Sequence, residues 1–228
     1  MVFTVRLRFV LGIILLSCIQ SVVNENVDIN TLSRIQKFFH YNFENGQYAV
    51  AINVPKVQCQ SGFYPSGKES TFLLKDMSEK VKPYIKPDSK DVYQGTELIA
   101  AGHHTDAHSE YLLMNPSKSS PLTNLLNKKK DGCVVFYTLI SPCIDRCLNN
   151  NDHDNILPGL DELNKYKGIK AFAYTHIYKK DQKNKNLHDK LKKIADLVPL
   201  YRCNEGGCIL CGGPGSKELQ KKCIENDV

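Results

Sequence analysis

No tryptophan occurs anywhere in this chain of 228 residues, so none of its pockets can be walled by an indole. Beyond the N-terminal stretch there is no apolar run of the roughly 18 residues a bilayer crossing needs, so the mature chain is expected to carry no membrane span. Internal repeats and long low-complexity tracts are missing too, which argues against a solenoid or a disordered tail. The single Asn-x-Ser triplet, Asn115-Pro116-Ser117, has proline in its forbidden middle place, so N-glycosylation is not expected.

What is present fits one globular domain with decorations, at 42% hydrophobic and 24% charged residues. Arg6 and Arg8, the apolar stretch Phe9 to Ile19 and the polar exit Gln20 to Asn24 follow the order of a secretory signal. Residues 1–23 are therefore read as a signal peptide and the mature protein as secreted. Of the formal charge of +6, two positive charges leave with that signal, and the mild basic bias that remains is no nucleic-acid signature by itself. Nine cysteines fall to eight once Cys18 is removed. If two of those bind a metal, Cys59, Cys133, Cys203, Cys208, Cys211 and Cys223 are left as disulfide candidates, in a pairing the sequence does not fix. The last four form a dense C-terminal cluster that could instead hold a second, structural zinc, although export favours disulfides.

Along the chain, Ile29, Leu32, Ile35, Phe38 and Phe39 recur at helical spacing, and Asn45-Gly46 turns into a strand over Gln47 to Val54. Residues 55–95 hold several prolines, glycines and serines and read as an irregular insertion, with a helix around Thr71 to Val81. Strands are predicted at Thr96 to Ala101, Cys133 to Leu139, Ile169 to Tyr174 and Val198 to Tyr201. Helices are predicted at His108 to Met114, from Pro142 through Cys147, and from Leu187 to Val198. Strands alternating with helices predict an α/β fold, a sheet covered by helices.

Two segments carry chemistry: Ala107-His108-Ser109-Glu110 and Ser141-Pro142-Cys143-Ile144-Asp145-Arg146-Cys147. One imidazole and two thiolates give zinc three protein ligands and leave the fourth position open, the arrangement of a catalytic site. Glu110, two residues after His108, can reach that open position without binding the metal and act as the proton carrier. The order is the H-x-E then P-C-x-x-C signature of zinc deaminases, with three residues rather than two between the cysteines. Residues three or four apart share a helix face, so Cys147 can still turn toward the metal. The bland alternative is a disulfide between Cys143 and Cys147. His103 and His104 could line an entrance, but they, like His40, His153 and His188, are assigned no role.

On these motifs the chain resembles the AID/APOBEC polynucleotide cytidine deaminases, most closely their secreted branch, over roughly Ile29 to Tyr201. The resemblance implies a cytidine-deaminase fold: a central mixed five-stranded sheet flanked by helices (αβα) within residues 24–202, the insertion 55–95 after the first strand, and a Cys-rich extension over 203–228. Tyr137-Thr138-Leu139-Ile140-Ser141-Pro142-Cys143 is similar to the family's segment ending in Ser-Trp-Ser-Pro-Cys, with Ile140 in the tryptophan's place. Phe172-Ala173-Tyr174-Thr175-His176-Ile177-Tyr178 is similar to the strand and loop that touch the target base and its 5′ neighbour. Ile140, Ser141, His176 and Tyr178 are thus the implied substrate contacts, Tyr178 as the stacking residue and His176 where an arginine is common. Lysines at 128 to 130, 179, 180, 183 and 185 would flank the pocket and could meet phosphates.

The expected function is that of an extracellular Zn2+-dependent deaminase converting cytosine to uracil in single-stranded DNA or RNA, in immune defence. The rivals are the same chemistry on a free nucleoside or base, and a secreted interaction protein on a deaminase scaffold without turnover. Assays with cytidine, adenosine and an oligonucleotide separate them. Oligomeric state is not legible from the sequence.

Overall fold

The computed structural model describes residues 26–43, 46–87, 89 and 91–225. The expected signal peptide and Asn45 of the expected turn lie outside them. Helix α1 (Ile29–Phe43) begins where the Asp28 carboxylate accepts the Thr31 N–H at 2.8 Å, capping the first turn. It buries Leu32, Ile35, Phe39 and Phe43. Strand β1 (Tyr48–Val54) follows and is buried along its whole length. The insertion is mostly irregular, as its prolines and glycines predict, with α2 (Ser78–Val81) shorter than expected and a two-residue strand β2 (Tyr93–Gln94) near its end. Then come β3 (Leu98–Gly102), α3 (Ser109–Met114), α4 (Pro121–Lys128), β4 (Cys133–Ile140), α5 (Leu157–Lys165), β5 (Ile169–His176), α6 (Leu187–Leu197), β6 (Leu200–Asn204) and β7 (Gly207–Gly212).

The seven strands form one mixed sheet in the order β2-β3-β1-β4-β5-β6-β7. Strands β4, β5 and β6 run parallel and the other pairings are antiparallel. The five expected strands are β1, β3, β4, β5 and β6, and the sheet gains one strand at each edge. β2 is too short and too close to prolines to show a period in the sequence. β7 is hidden among Gly206, Gly207 and Gly212, residues that read as turn; it doubles back on β6 through a turn in which Gly207 has φ +117°, so part of the C-terminal extension belongs to the sheet.

Strand alternation divides the interior into two cores. On β4, Cys133, Val135 and Tyr137 face α1 and the insertion, while Val134 and Phe136 face α3, α4, α5 and α6. β5 repeats the pattern, and the rings of Phe136 and Phe172 stack at 5.0 Å in the second core. The same parity sends Thr138 to the face that carries α3. Gly159 of α5 lets that helix approach α3 closely, because a Cβ there would sit 2.4 Å from the Met114 Cβ.

Three disulfides close among the described residues: Cys59–Cys133, Cys203–Cys208 and Cys211–Cys223. All six candidates are thereby used, and the C-terminal cluster is a pair of disulfides rather than a metal site. Cys59–Cys133 ties the chain just after β1 to the start of β4 across 74 residues and is fully buried. Replacing both of these cysteines by alanine should lower the unfolding free energy by about 2–4 kcal/mol, read as an earlier midpoint in urea denaturation of the oxidised protein.

Candidate metal centre

The C-terminal ends of β3, β4 and β5 open on one end of the sheet, and there the two motifs meet. His108 is the extended residue immediately before α3. Its Nδ1 lies 3.1 Å from the Cys147 sulfur and 3.6 Å from the Cys143 sulfur, and the two sulfurs are 3.7 Å apart. A bonded disulfide brings sulfurs to about 2.05 Å, so this pair is not one, and both cysteines are free and buried. A tetrahedral zinc with bonds of about 2.3 Å to sulfur and about 2.0–2.1 Å to nitrogen keeps its ligand atoms about 3.8 Å (S···S) and about 3.6 Å (S···N) apart. The three atoms therefore stand close to the positions such an ion demands, and one imidazole with two soft sulfurs suits zinc. These residues can hold a metal ion.

The helix expected from Pro142 through Cys147 does not form. Residues 144–148 make a turn in which the Leu148 N–H donates to the Cys143 carbonyl at 3.0 Å, spanning five residues instead of an α-helix's four. The wide turn absorbs the extra residue between the cysteines and still brings both sulfurs to one point, so the expectation of a shared helix face is replaced by a loop that closes on itself. Two buried carboxylates hold it. Asp181 accepts the Ile144 N–H at 2.9 Å, and burial pushes its pKa up to about 6.

Asp154, fully buried, is the second, and nothing in the sequence marked it: in the run Asn149 to Asn155 it reads as one more polar loop residue. Its Oδ2 pairs with the Arg146 guanidinium at 2.6 Å and lies 3.4 Å from the His108 N–H. One carboxylate thus spans the segment bearing the imidazole and the turn bearing the sulfurs. Arg146 also donates to the Asp106 carbonyl at 3.2 Å, a second tie between the same segments. His153, assigned no role from sequence, reaches Asp154 Oδ1 at 3.1 Å and lies tilted against the Tyr111 ring, centroids 4.7 Å apart. His103 stands edge-on to His108, ring centroids 5.3 Å apart.

Glu110 is 1% exposed. Its Oε1 accepts from the Thr138 hydroxyl at 2.9 Å and its Oε2 from Ser109 at 3.1 Å. Burial holds its carboxyl above the usual carboxylate range. The hydrogen bond to the Cys143 sulfur raises the His108 imidazole. Between the two sulfurs Cys143 is the more acidic, because the Cys147 thiol donates to it and stabilises its thiolate, while Cys147 is pushed up.

Ile140, Ser141, His176 and Tyr178 lie together beside these groups at the ends of β4 and β5. Ile140 pairs with His176, the Ser141 N–H donates to the His176 carbonyl at 2.7 Å, and the Ser141 hydroxyl accepts the Tyr178 N–H at 3.0 Å. Ser141 is buried, Ile140 and Tyr178 are half-buried and His176 is exposed. Of the expected lysines, Lys179, Lys180, Lys183 and Lys185 sit exposed on the loop after β5, at this end. Lys128, Lys129 and Lys130 lie at the opposite end of the sheet, just before β4 begins.

An imidazole and two thiols converging beside a buried carboxylate, on a sheet-and-helix frame, define the zinc-dependent deaminase class. Within that class, residues 30–227 match the family described as Secreted Novel AID/APOBEC-like Deaminase 1, and the chain belongs to it. No curated protein and no solved structure matches the chain. No described helix is long and apolar enough to cross a membrane.

Outer partners that orient ligands are worth about 10- to 100-fold in metal affinity. Asp154→Asn should therefore weaken zinc binding by about that factor while the protein stays folded, measured by competition with a chromophoric chelator and by circular dichroism.

Proposed function

We propose that this protein is exported and removes the amino group of cytosine, giving uracil, in single-stranded DNA or RNA. The observation that carries the reading is the pairing of a three-ligand site, His108, Cys143 and Cys147, with the buried, doubly held carboxylate of Glu110. Zinc, when bound there, supplies a Lewis acid that brings the pKa of a water toward neutrality. Glu110 does the proton work. Thr138 and Ser109 fix its two oxygens, and a carboxyl that burial shifts upward can take one proton from the attacking water and hand it to the ring nitrogen, then take that oxygen's second proton and hand it to the amino group, which leaves as ammonia.

Single-stranded nucleic acid is favoured over a free nucleoside by the rim. Four exposed lysines, Lys179, Lys180, Lys183 and Lys185, flank Tyr178 on a loop that Asp181 anchors to the Cys143 turn. Cations beside an aromatic face are the means by which proteins track an unpaired strand. In this reading Ile140 gives the base pocket an apolar wall, Tyr178 stacks on a base, Ser141 holds the Tyr178 backbone and His176 contacts the strand at the rim. A duplex would hide the amine, and flipping the base out costs free energy. Disulfides and the family's description as secreted support an extracellular site of action.

The test is conversion of cytosine to uracil in an oligonucleotide, in parallel with free cytidine and adenosine. Preference for cytidine or adenosine would overturn the substrate, and no turnover by fully zinc-loaded protein on any of them would overturn the activity. Glu110→Gln should cut kcat by about 100- to 10,000-fold with zinc content unchanged. Its melting temperature should be equal or higher, since a neutral amide relieves a buried charge. Tyr178→Ala should raise KM for the oligonucleotide by the equivalent of about 1–3 kcal/mol and leave kcat much less affected, measured by steady-state kinetics.

A further inference from the structure

A second cationic site lies at the other end of the sheet. Where β5 begins, a cavity of about 660 Å³ is lined by Lys56, Lys165, Lys167 and Lys170, and by Pro199 and Pro214 among others. Around the corner a smaller cavity of about 210 Å³ shares Lys165, Tyr166 and Lys167 with it and adds Lys130. Together they form a trough with five lysines. Among the described residues Glu162 is the single carboxylate in its lining, and it is already paired with Lys165 at 2.8 Å. The Lys170 ammonium is held at the trough wall by the Asn164 and Tyr166 carbonyls at 2.5 and 2.6 Å. Lys130 and Lys167 are exposed and Lys56 is half-buried. Strand β4 is 8 residues long, so at about 3.3 Å per residue this trough stands about 26 Å from the metal centre.

We propose that this trough binds a sulfated polysaccharide of the heparan-sulfate kind, independently of the catalytic pocket. Three observations select that ligand among polyanions. First, the trough offers no stacking surface: its one aromatic, Tyr166, is 7% exposed and turns its hydroxyl inward to Asn53 and the Lys129 carbonyl. A single strand of nucleic acid relies on such surfaces, and a sugar sulfate does not. Second, its cations are all lysines. The described arginines have partners elsewhere, Arg34 with Tyr64 and the Phe63 carbonyl, Arg146 with Asp154, and Arg202 with the Thr175 and Lys222 carbonyls. Ammonium groups act as point charges that suit separated sulfates, without the planar fork that reads phosphate or base edges. Third, two joined cavities make a track, which fits a linear chain of repeated charges better than one small anion. A disulfide-bonded protein that works outside cells meets such chains at the cell surface.

The experiment uses the full mature, zinc-loaded protein, a short heparin oligosaccharide and a single-stranded oligonucleotide. Two triple variants are compared with the parent: Lys56→Gln/Lys130→Gln/Lys167→Gln in the trough, and Lys179→Gln/Lys180→Gln/Lys183→Gln on the loop after β5. Lys165 and Lys170 are left in place because they have structural partners. The trough variant should bind heparin at least about tenfold more weakly, with the salt dependence of binding reduced by roughly 2 to 3 ion contacts, and keep its oligonucleotide affinity and zinc content. The loop variant should keep its heparin affinity. Equal losses of heparin binding in both variants would mean that only overall charge is being felt, and would overturn the proposal. A trough variant that loses the oligonucleotide and not heparin would overturn it too, and would assign the trough to the nucleic acid.

Discussion

Everything at the open end of the sheet depends on keeping two thiols side by side without letting them join. The other six cysteines of the described chain are oxidised, yet Cys143 and Cys147 remain 3.7 Å apart. Bond formation would need the sulfurs to close by more than an ångström, and the turn that carries them is held from outside by Asp181 on one flank and by the Arg146–Asp154 pair on the other. A metal ion gains from the same restraint, since a site already close to its bonded geometry has little conformational entropy left to lose. The two buried aspartates thus set the geometry in which His108, Cys143 and Cys147 could meet an ion.

The frame was legible in the sequence to the extent that each element carried its own period. The run Cys133 to Leu139, with its unbroken apolar residues, could hardly be other than a central strand, and the i, i+3, i+4 spacing of α1 announced its buried face. The convergence of His108, Cys143 and Cys147 beside Glu110 was legible because the two motifs fix both residue type and order there. Three features were hidden. The wide turn at Cys143 looks like a helix start, because proline is at home in a helix's first turn and nothing local predicts a five-residue hydrogen bond. Asp154 is an ordinary acid until the fold buries it. β7 is built from glycines and cysteines, whose place in a sheet comes from a disulfide and a neighbouring strand and not from propensity.

The two ends of the sheet have opposite chemical characters. At the ends of β4 and β5 the groups around the metal centre are buried and directional, with each oxygen of Glu110 given its own donor, and the exposed lysines lie outside them on the loop after β5. At their beginnings the lysines are numerous, and Lys130 and Lys167 stand exposed beside the paired Lys165 and the carbonyl-held Lys170. Such a division follows from the parallel β4–β5 pair: loops leaving the strand ends are pinned by the site they build, whereas the loops feeding the strands carry no such constraint.

The strands at the margins have a consequence of another kind. An unprotected β margin invites a second molecule to add its own strand, the usual route from a folded protein to fibres. Here one margin is the two-residue β2, too short to act as a template. The other is β7, whose Cys211 carbonyl is already taken by the Gln220 N–H of the returning C-terminus, fastened there by Cys211–Cys223. With both margins closed in this way, the chain is denied the commonest path to self-polymerisation.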